Sequence, residues 1–238
     1  MELNLNERRA LITGGSRGLG RAMAETFARA GADVVIVGRD EQALGDATSA
    51  LEQIRPSGQF LGISADIANP DEIAELHHKA ESFFGSVEIL VNNAGTSNAK
   101  PFLEVTDADW LEDFNLKFFS AAKLCQLCIP GMQRAGWGRI INTLNSAAKA
   151  PGAKTCPTSA ARAAGMAMTK ALATEFASDG ILVNALNTGF LVSHQWRTRW
   201  QSESTGKTFD EFVESIGQNI PIGRMGEAHA VSYTHLTL

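Results

Sequence analysis

The segment Thr13-Gly14-Gly15-Ser16-Arg17-Gly18-Leu19-Gly20 limits the fold of this chain more than any other. It follows a short apolar run at 9–13 and opens an amphipathic stretch at 18–30. A glycine-rich turn between a strand and a helix lets the backbone approach a pyrophosphate. The helix N-terminus then meets that anion with unpaired N–H groups and a positive dipole. Gly14, Ser16, Arg17, Gly18, Leu19 and Gly20 are therefore the expected pyrophosphate cradle of a dinucleotide site. A plain tight turn is the competing reading, and the strand–turn–helix context argues against it.

The alternation continues along the chain. Strand-like runs at 9–13, 33–37, 60–64, 87–92, 139–143 and 181–185 alternate with helical patterns at 18–30, 41–54, 69–84, 106–134 and 157–178. Gly31 stands where a helix C-cap glycine is favoured, and Asn69-Pro70 reads as an N-cap followed by a first-turn proline. Strands separated by helices require right-handed crossovers, which predicts an α/β three-layer Rossmann fold with a doubly wound parallel sheet. With 238 residues and no repeat or linker, residues 1–230 are expected to form one domain. The net charge of -5 gives no broad basic surface, so no nucleic-acid partner is expected. No apolar run approaches the roughly 20 residues that cross a bilayer, so no membrane partner is expected either. The polar start and the three cysteines predict neither a secretory leader nor a disulfide framework, which makes the cytoplasm the expected location.

Charge at the end of the second strand bears on the coenzyme. An acidic side chain there would accept hydrogen bonds from the ribose 2′-OH of NAD(H). The sequence instead reads Val37-Gly38-Arg39-Asp40, with Arg17 nearby in the glycine loop. Two guanidinium groups suit a 2′-phosphate, because arginine forms paired, charge-assisted bonds to phosphate. NADP(H) is the favoured coenzyme. NAD(H) is the alternative, with Asp40 on the ribose and both arginines solvated.

The glycine spacing, followed by Asn92-Asn93-Ala94-Gly95 and Phe114-Asn115-Leu116, resembles the short-chain dehydrogenase/reductase superfamily, in this order from Glu7 to His229. The resemblance implies that Asp66 and Ile67 lie beside the adenine and that Asn93, Ala94 and Gly95 line the coenzyme cleft. It places Gly189 and Ser193 on the pyrophosphate or carboxamide side, with Thr188-Gly189 where the family has Pro-Gly. It matches Asn115 to the asparagine of the catalytic tetrad. It also implies a small-molecule substrate and a homo-oligomer, dimer or tetramer, built through the two long helices.

The family's chemistry uses a serine, a tyrosine and a lysine four residues after the tyrosine. In the register set by Thr169-Lys170-Ala171, those places hold Asn145, Thr158 and Arg162. Ser146 is one residue off, and the single tyrosine is Tyr233. A phenol titrates near pH 10 and a nearby cation can bring it toward neutrality, whereas a threonine hydroxyl is far less acidic. Arg162 keeps a charge for the ribose but gives up protons too reluctantly to replace lysine. The expectation is retained coenzyme binding with weak or lost carbonyl/alcohol chemistry, since positioned acid–base help contributes roughly 10²–10⁴-fold. The alternative is an active oxidoreductase with relocated acid–base groups, for which Ser146, Lys149, Lys154 and Cys156 are the candidates.

Other features read as structural. Cys125 and Cys128 have CxxC spacing in an apolar helix without a second ligand pair, so buried packing is expected and no metal. His77-His78 reads as a solvated face. Residues 194–219, with Trp196, Arg197, Arg199, Trp200, Phe209 and Phe212, resemble a substrate lid, and a packed helical insertion is an equal reading. Family members continue beyond this point with a helix, a seventh strand and a glycine-rich tail. At the start of residues 231–238, one reading frame for VSYTHL resembles a transposon adaptor used in sequencing libraries. They are expected to be an artefactual tail, leaving the C-terminal edge strand missing.

Overall fold

The computed structural model describes residues 4–203 and 206–232. Its centre is a parallel sheet of six strands: β1 (Arg9–Thr13), β2 (Asp33–Gly38), β3 (Phe60–Ser64), β4 (Ile89–Asn92), β5 (Gly138–Asn145) and β6 (Ile181–Thr188). The spatial order is β3-β2-β1-β4-β5-β6. Leu11 sits opposite Val35 on one side and Leu90 on the other, so β1 is central. Strand order reverses between β1 and β4, which opens a crevice outside their C-terminal ends. The doubly wound sheet is the predicted architecture.

The helices are α1 (Gly18–Arg29), α2 (Glu41–Ile54), α3 (Pro70–Phe84), α4 (Asp107–Phe114), α5 (Ser120–Ala135), α6 (Thr158–Glu175), α7 (His194–Glu203), α8 (Phe209–Gly217) and α9 (Ala228–Ser232). The central strands β1, β2 and β4 are buried on both faces, as their apolar runs require, while the edge strands β3 and β6 are partly exposed. One face packs Leu11, Val35 and Leu90 against Leu76, Leu124 and Met132 of α3 and α5. The other packs Ile12, Ile36 and Val91 against Met23, Phe27, Leu44 and Leu51 of α1 and α2. Local signals set the helix ends: the Asn69 side chain accepts the Asp71 N–H, and Thr106 and Asp109 form a capping box.

Two expectations change. The long helix at 106–134 is interrupted by a five-residue π-helical turn, Asn115–Phe119, between α4 and α5. His77 is not on a solvated face. It continues the buried stripe of Ile73, Leu76, Ala80 and Phe84, while its neighbour His78 is exposed. The four-residue step from Ile73 carries His77 under the helix, and a one-residue step rotates His78 out.

At the other end of the chain, Val231 and Ser232 belong to α9, which packs on α1. Thr26 Oγ1 donates to Ser232 Oγ at 2.9 Å, and Val231 packs against the α1–α2 side of the core. The rest of the expected tail, residues 233–238 with Tyr233, lies outside the described residues.

Candidate functional site

The glycine loop lies at the mouth of the crevice, clamped to the end of β4. Thr13 Oγ1 accepts the backbone N–H groups of Asn93 at 2.9 Å and Ala94 at 3.1 Å. Asn93 Nδ2 returns a bond to the Thr13 carbonyl at 3.0 Å. Gly20 is required by contact, since a Cβ there would lie 2.2 Å from the Gly14 carbonyl oxygen. Gly14 and Gly18 have φ of +65° and +56°, the region where glycine is favoured. The N-cap of α1, Arg17, makes no side-chain capping bond. The first N–H groups of the helix therefore have no capping side chain from Arg17, which fits an anionic pyrophosphate at this helix end.

Beside this loop, Arg17 pairs with Asp40, and Arg39 is exposed. Asp40 is committed twice, because its side chain also accepts the Ala43 N–H at 3.0 Å as the N-cap of α2. That cap bond, helped by Arg17, holds its carboxyl below the usual carboxylate range. Across the crevice Asp66 Oδ1 takes the Ala68 N–H at 3.0 Å, and Ile67 is buried behind it.

A second part of the crevice lies between β5, α6 and the π-helical turn. A cavity there is lined by Thr13, Ala94, Lys117, Thr143 and Arg162, among others. Arg162 reaches back from α6 and donates through Nη1 to the Thr143 carbonyl. Its Nη2 abuts Gly95, where a Cβ would stand 2.8 Å away. Its buried Nε has no partner, and neither does the buried Oδ1 of Asn145 at the end of β5. Burial lowers the Arg162 proton affinity, and Asp113 works against that shift.

Thr158, at the head of α6, is 5% exposed and already engaged. Its hydroxyl oxygen accepts the Asn98 N–H at 2.9 Å, and the hydroxyl faces Asp113 Oδ1 at 3.4 Å. Lys100 N–H donates to the Cys156 carbonyl at 2.9 Å, so the loop after β4 is latched to the approach of α6. Asn115 starts the π turn and does not line the cavity; Lys117, two residues on, does.

Lys117 and Asp113 form a salt bridge with side chains 1% and 2% exposed. Burial pushes the Lys117 ammonium to lower proton affinity; Asp113 opposes this and Arg162 adds to it. Of the relocation candidates, Ser146, Lys149 and Lys154 are exposed, Cys156 is half-buried, and none lines the cavity. Gly189 and Ser193 precede α7, whose Gln195 Nε2 donates to the Gly95 carbonyl at 2.8 Å. In the lid segment Trp196 is tilted against Phe212 with ring centroids 6.3 Å apart, and Trp200 meets Phe209 edge-on at 5.7 Å. Cys125 and Cys128 are buried, with the Cys125 thiol pushed up to about 12 by burial.

Residues 8–204 match the short chain dehydrogenase family profile. The chain belongs to the short-chain dehydrogenase family. It is 31% identical over 232 residues to the 3-oxoacyl-(acyl-carrier-protein) reductase FabG of Pseudomonas aeruginosa, covering 97% of this chain and 89% of that protein. Among solved structures, L-sorbose reductase of Gluconobacter frateurii, complexed with NADPH and L-sorbose, superposes with a TM-score of 0.94 at 30% identity, covering 99% of this chain and 90% of that one. An NADPH-bound short-chain oxidoreductase of Pseudomonas aeruginosa, described as containing an atypical catalytic center, gives a TM-score of 0.88 at 32% identity, covering 96% and 88%.

In this short-chain dehydrogenase the residues that sequence reasoning missed are Lys117 and Asp113. Their i, i+4 spacing reads as an ordinary surface pair on a helix. The signal in the sequence is the apolar company of Leu116, Phe118 and Phe119, in which Lys117 is the charged residue.

Proposed function

We propose that this chain is an NADP(H)-dependent oxidoreductase for a carbonyl/alcohol pair in which proton transfer has moved from the head of α6 to Lys117. The observation that carries this reading is the buried Lys117–Asp113 pair, with Lys117 among the residues that line the same cavity as Arg162. Thr158 is held by Asn98 and faces Asp113, so its hydroxyl is not available to a substrate oxygen. A lysine of lowered proton affinity is matched to general-acid work closer to neutral pH than an ordinary lysine.

The polar groups of the crevice fit the coenzyme, Arg162 Nε being buried without a partner. Arg17 and Arg39 flank the place of a 2′-phosphate, and Asp40 is occupied as a helix cap, which supports NADP(H) over NAD(H). Gly14, Ser16, Gly18, Leu19 and Gly20 would carry the pyrophosphate. Asn93, Ala94, Gly95 and Arg162 would line the nicotinamide ribose side, with Asp66 and Ile67 at the adenine and Gly189 and Ser193 beneath the lid. The bound coenzyme supplies a two-electron hydride exchange. Within the chain, Arg162 holds a fixed positive charge near Gly95, and Asn145 orients the substrate. Lys117 delivers a proton to the oxygen on which negative charge develops, and in the reverse direction it takes that proton back. The α7–α8 segment closes the entrance through the Gln195 contact. The exposed Leu111 and Phe119 along α4–α5 support a homo-oligomer through these helices.

The test is NADPH consumption against a panel of ketones, aldehydes and 3-oxo esters, with coenzyme affinity followed by NADPH fluorescence. Turnover that falls roughly 10²–10⁴-fold in Lys117→Met, with coenzyme affinity kept, is the expected result. NADPH binding without turnover in the parent protein would instead identify a coenzyme-binding relative with silenced chemistry.

A further inference from the structure

Asp113 is a buried carboxylate that the preceding scheme does not use. Its side chain is 2% exposed. Oδ1 takes the Lys117 ammonium and faces the Thr158 hydroxyl at 3.4 Å, while Oδ2 is buried without a partner. Both neighbouring cations feel it, because its charge opposes the loss of proton affinity that burial imposes on Lys117 and on Arg162. The charged groups that face Lys117 are Asp113 and Glu112 on α4 and Arg162 on α6, so two cations share a pocket in which Asp113 is the buried acid.

Geometry gives this arrangement a purpose. A buried ammonium beside a guanidinium is destabilised twice, by desolvation and by like charge. Without a fixed counter-ion the lysine would lose its proton or swing to solvent. The π-helical turn begins two residues after Asp113, and a local π bulge is a recurrent device at functional sites. It carries Lys117 to the cavity while the carboxylate one turn earlier stays within reach of its ammonium. The carboxylate also touches the head of α6, so it ties the two helices of the site together.

We propose that Asp113 is the positioning residue of this site: one buried carboxylate that aims the Lys117 ammonium into the cavity, keeps it loaded with its proton, and balances the shared charge of Lys117 and Arg162. This rests on the assignment of Lys117 as proton donor, and Asp113 itself does not touch the substrate.

The test uses the full chain with Asp113→Asn, nearly the same size without the charge. Lysine side-chain NMR, with Lys117 assigned by its loss in Lys117→Met, reads the protonation of Lys117 directly in the absence of any substrate. The Lys117 titration midpoint is expected to fall by about one pH unit or more, a tenfold loss of proton affinity. The high-pH limit of kcat for carbonyl reduction is expected to move down by the same amount, while NADPH affinity stays within about threefold, because the glycine cradle is untouched. An unchanged midpoint and an unchanged pH profile in Asp113→Asn would overturn the proposal.

If Asp113→Asn does not fold, the double variant Asp113→Asn with Lys117→Met decides. Recovery of the fold supports a carboxylate that serves the Lys117 charge, and failure to recover makes Asp113 a structural residue of α4 and refutes the proposal. Full activity in Lys117→Met alone would defeat the proton-donor assignment while leaving the NMR midpoint as an independent measure of the Asp113 coupling.

Discussion

The hydroxyl oxygen of Thr158 accepts the backbone N–H of Asn98 at 2.9 Å, across sixty residues of chain. The position that register assigns to a catalytic tyrosine is therefore a latch between the β4 loop and α6. Thr158→Val keeps the shape and removes the acceptor, leaving a partly buried N–H unsatisfied. The expected cost is about 1–3 kcal/mol of unfolding free energy. NADPH affinity should change little, and urea denaturation beside fluorescence titration checks both.

Coenzyme choice should depend on Arg39 and Arg17. Each charge-assisted bond to a 2′-phosphate contributes about 1.5–3 kcal/mol, roughly ten- to a hundredfold in affinity. Arg39→Ala should weaken NADPH by that factor and leave NADH nearly unchanged. Equal losses for both coenzymes would remove Arg39 from the phosphate site.

Gln195 joins the lid to the coenzyme cleft through the Gly95 carbonyl at 2.8 Å. Gln195→Ala should speed NADPH release in stopped-flow displacement several-fold, in keeping with one exposed hydrogen bond of about 0.5–1.5 kcal/mol. Denaturation midpoints should stay put, because α7 buries none of its residues.

His77 is 7% exposed, and burial lowers its proton affinity, with a smaller lowering from His78 and an opposing pull from Glu81. Its folded pKa therefore lies below the unfolded value of about 6.5. Above that pH the imidazole is neutral in both states and costs nothing. As pH falls below it, the unfolded chain takes up a proton that the folded chain refuses, and stability declines by up to about 1.4 kcal/mol per pH unit. Denaturation at pH 7.5 and pH 5.5 should show a decline that His77→Leu makes shallower.

The cysteines should divide by burial. Cys125 and Cys128 lie in the core, with thiols pushed up to about 12 and well above the ordinary value, while Cys156 is half-buried. A colorimetric thiol reagent at pH 8 should modify Cys156 first in the native protein. The other two should react only on unfolding, and rapid native reaction of all three would contradict the packing.

The sequence by itself determined the architecture. Glycine spacing, β-branched runs and helix caps are local, each written within a few residues, and each led to its element within a few positions. The glycine turn with Gly14, Gly18 and Gly20, the cap Asn69 and the commitment to a parallel sheet were all legible for that reason. Only the tertiary structure decided what lines the cavity beside the glycine loop. Asp113 and Lys117 have the spacing of a surface ion pair, and they are buried because a π turn and the packing of α6 enclose them. His77 was misread because its helix is acidic overall and the sequence does not say which stripe meets the sheet. Burial is a property of what a helix packs against, and it is burial that lowers the proton affinity of Lys117 below that of an ordinary lysine.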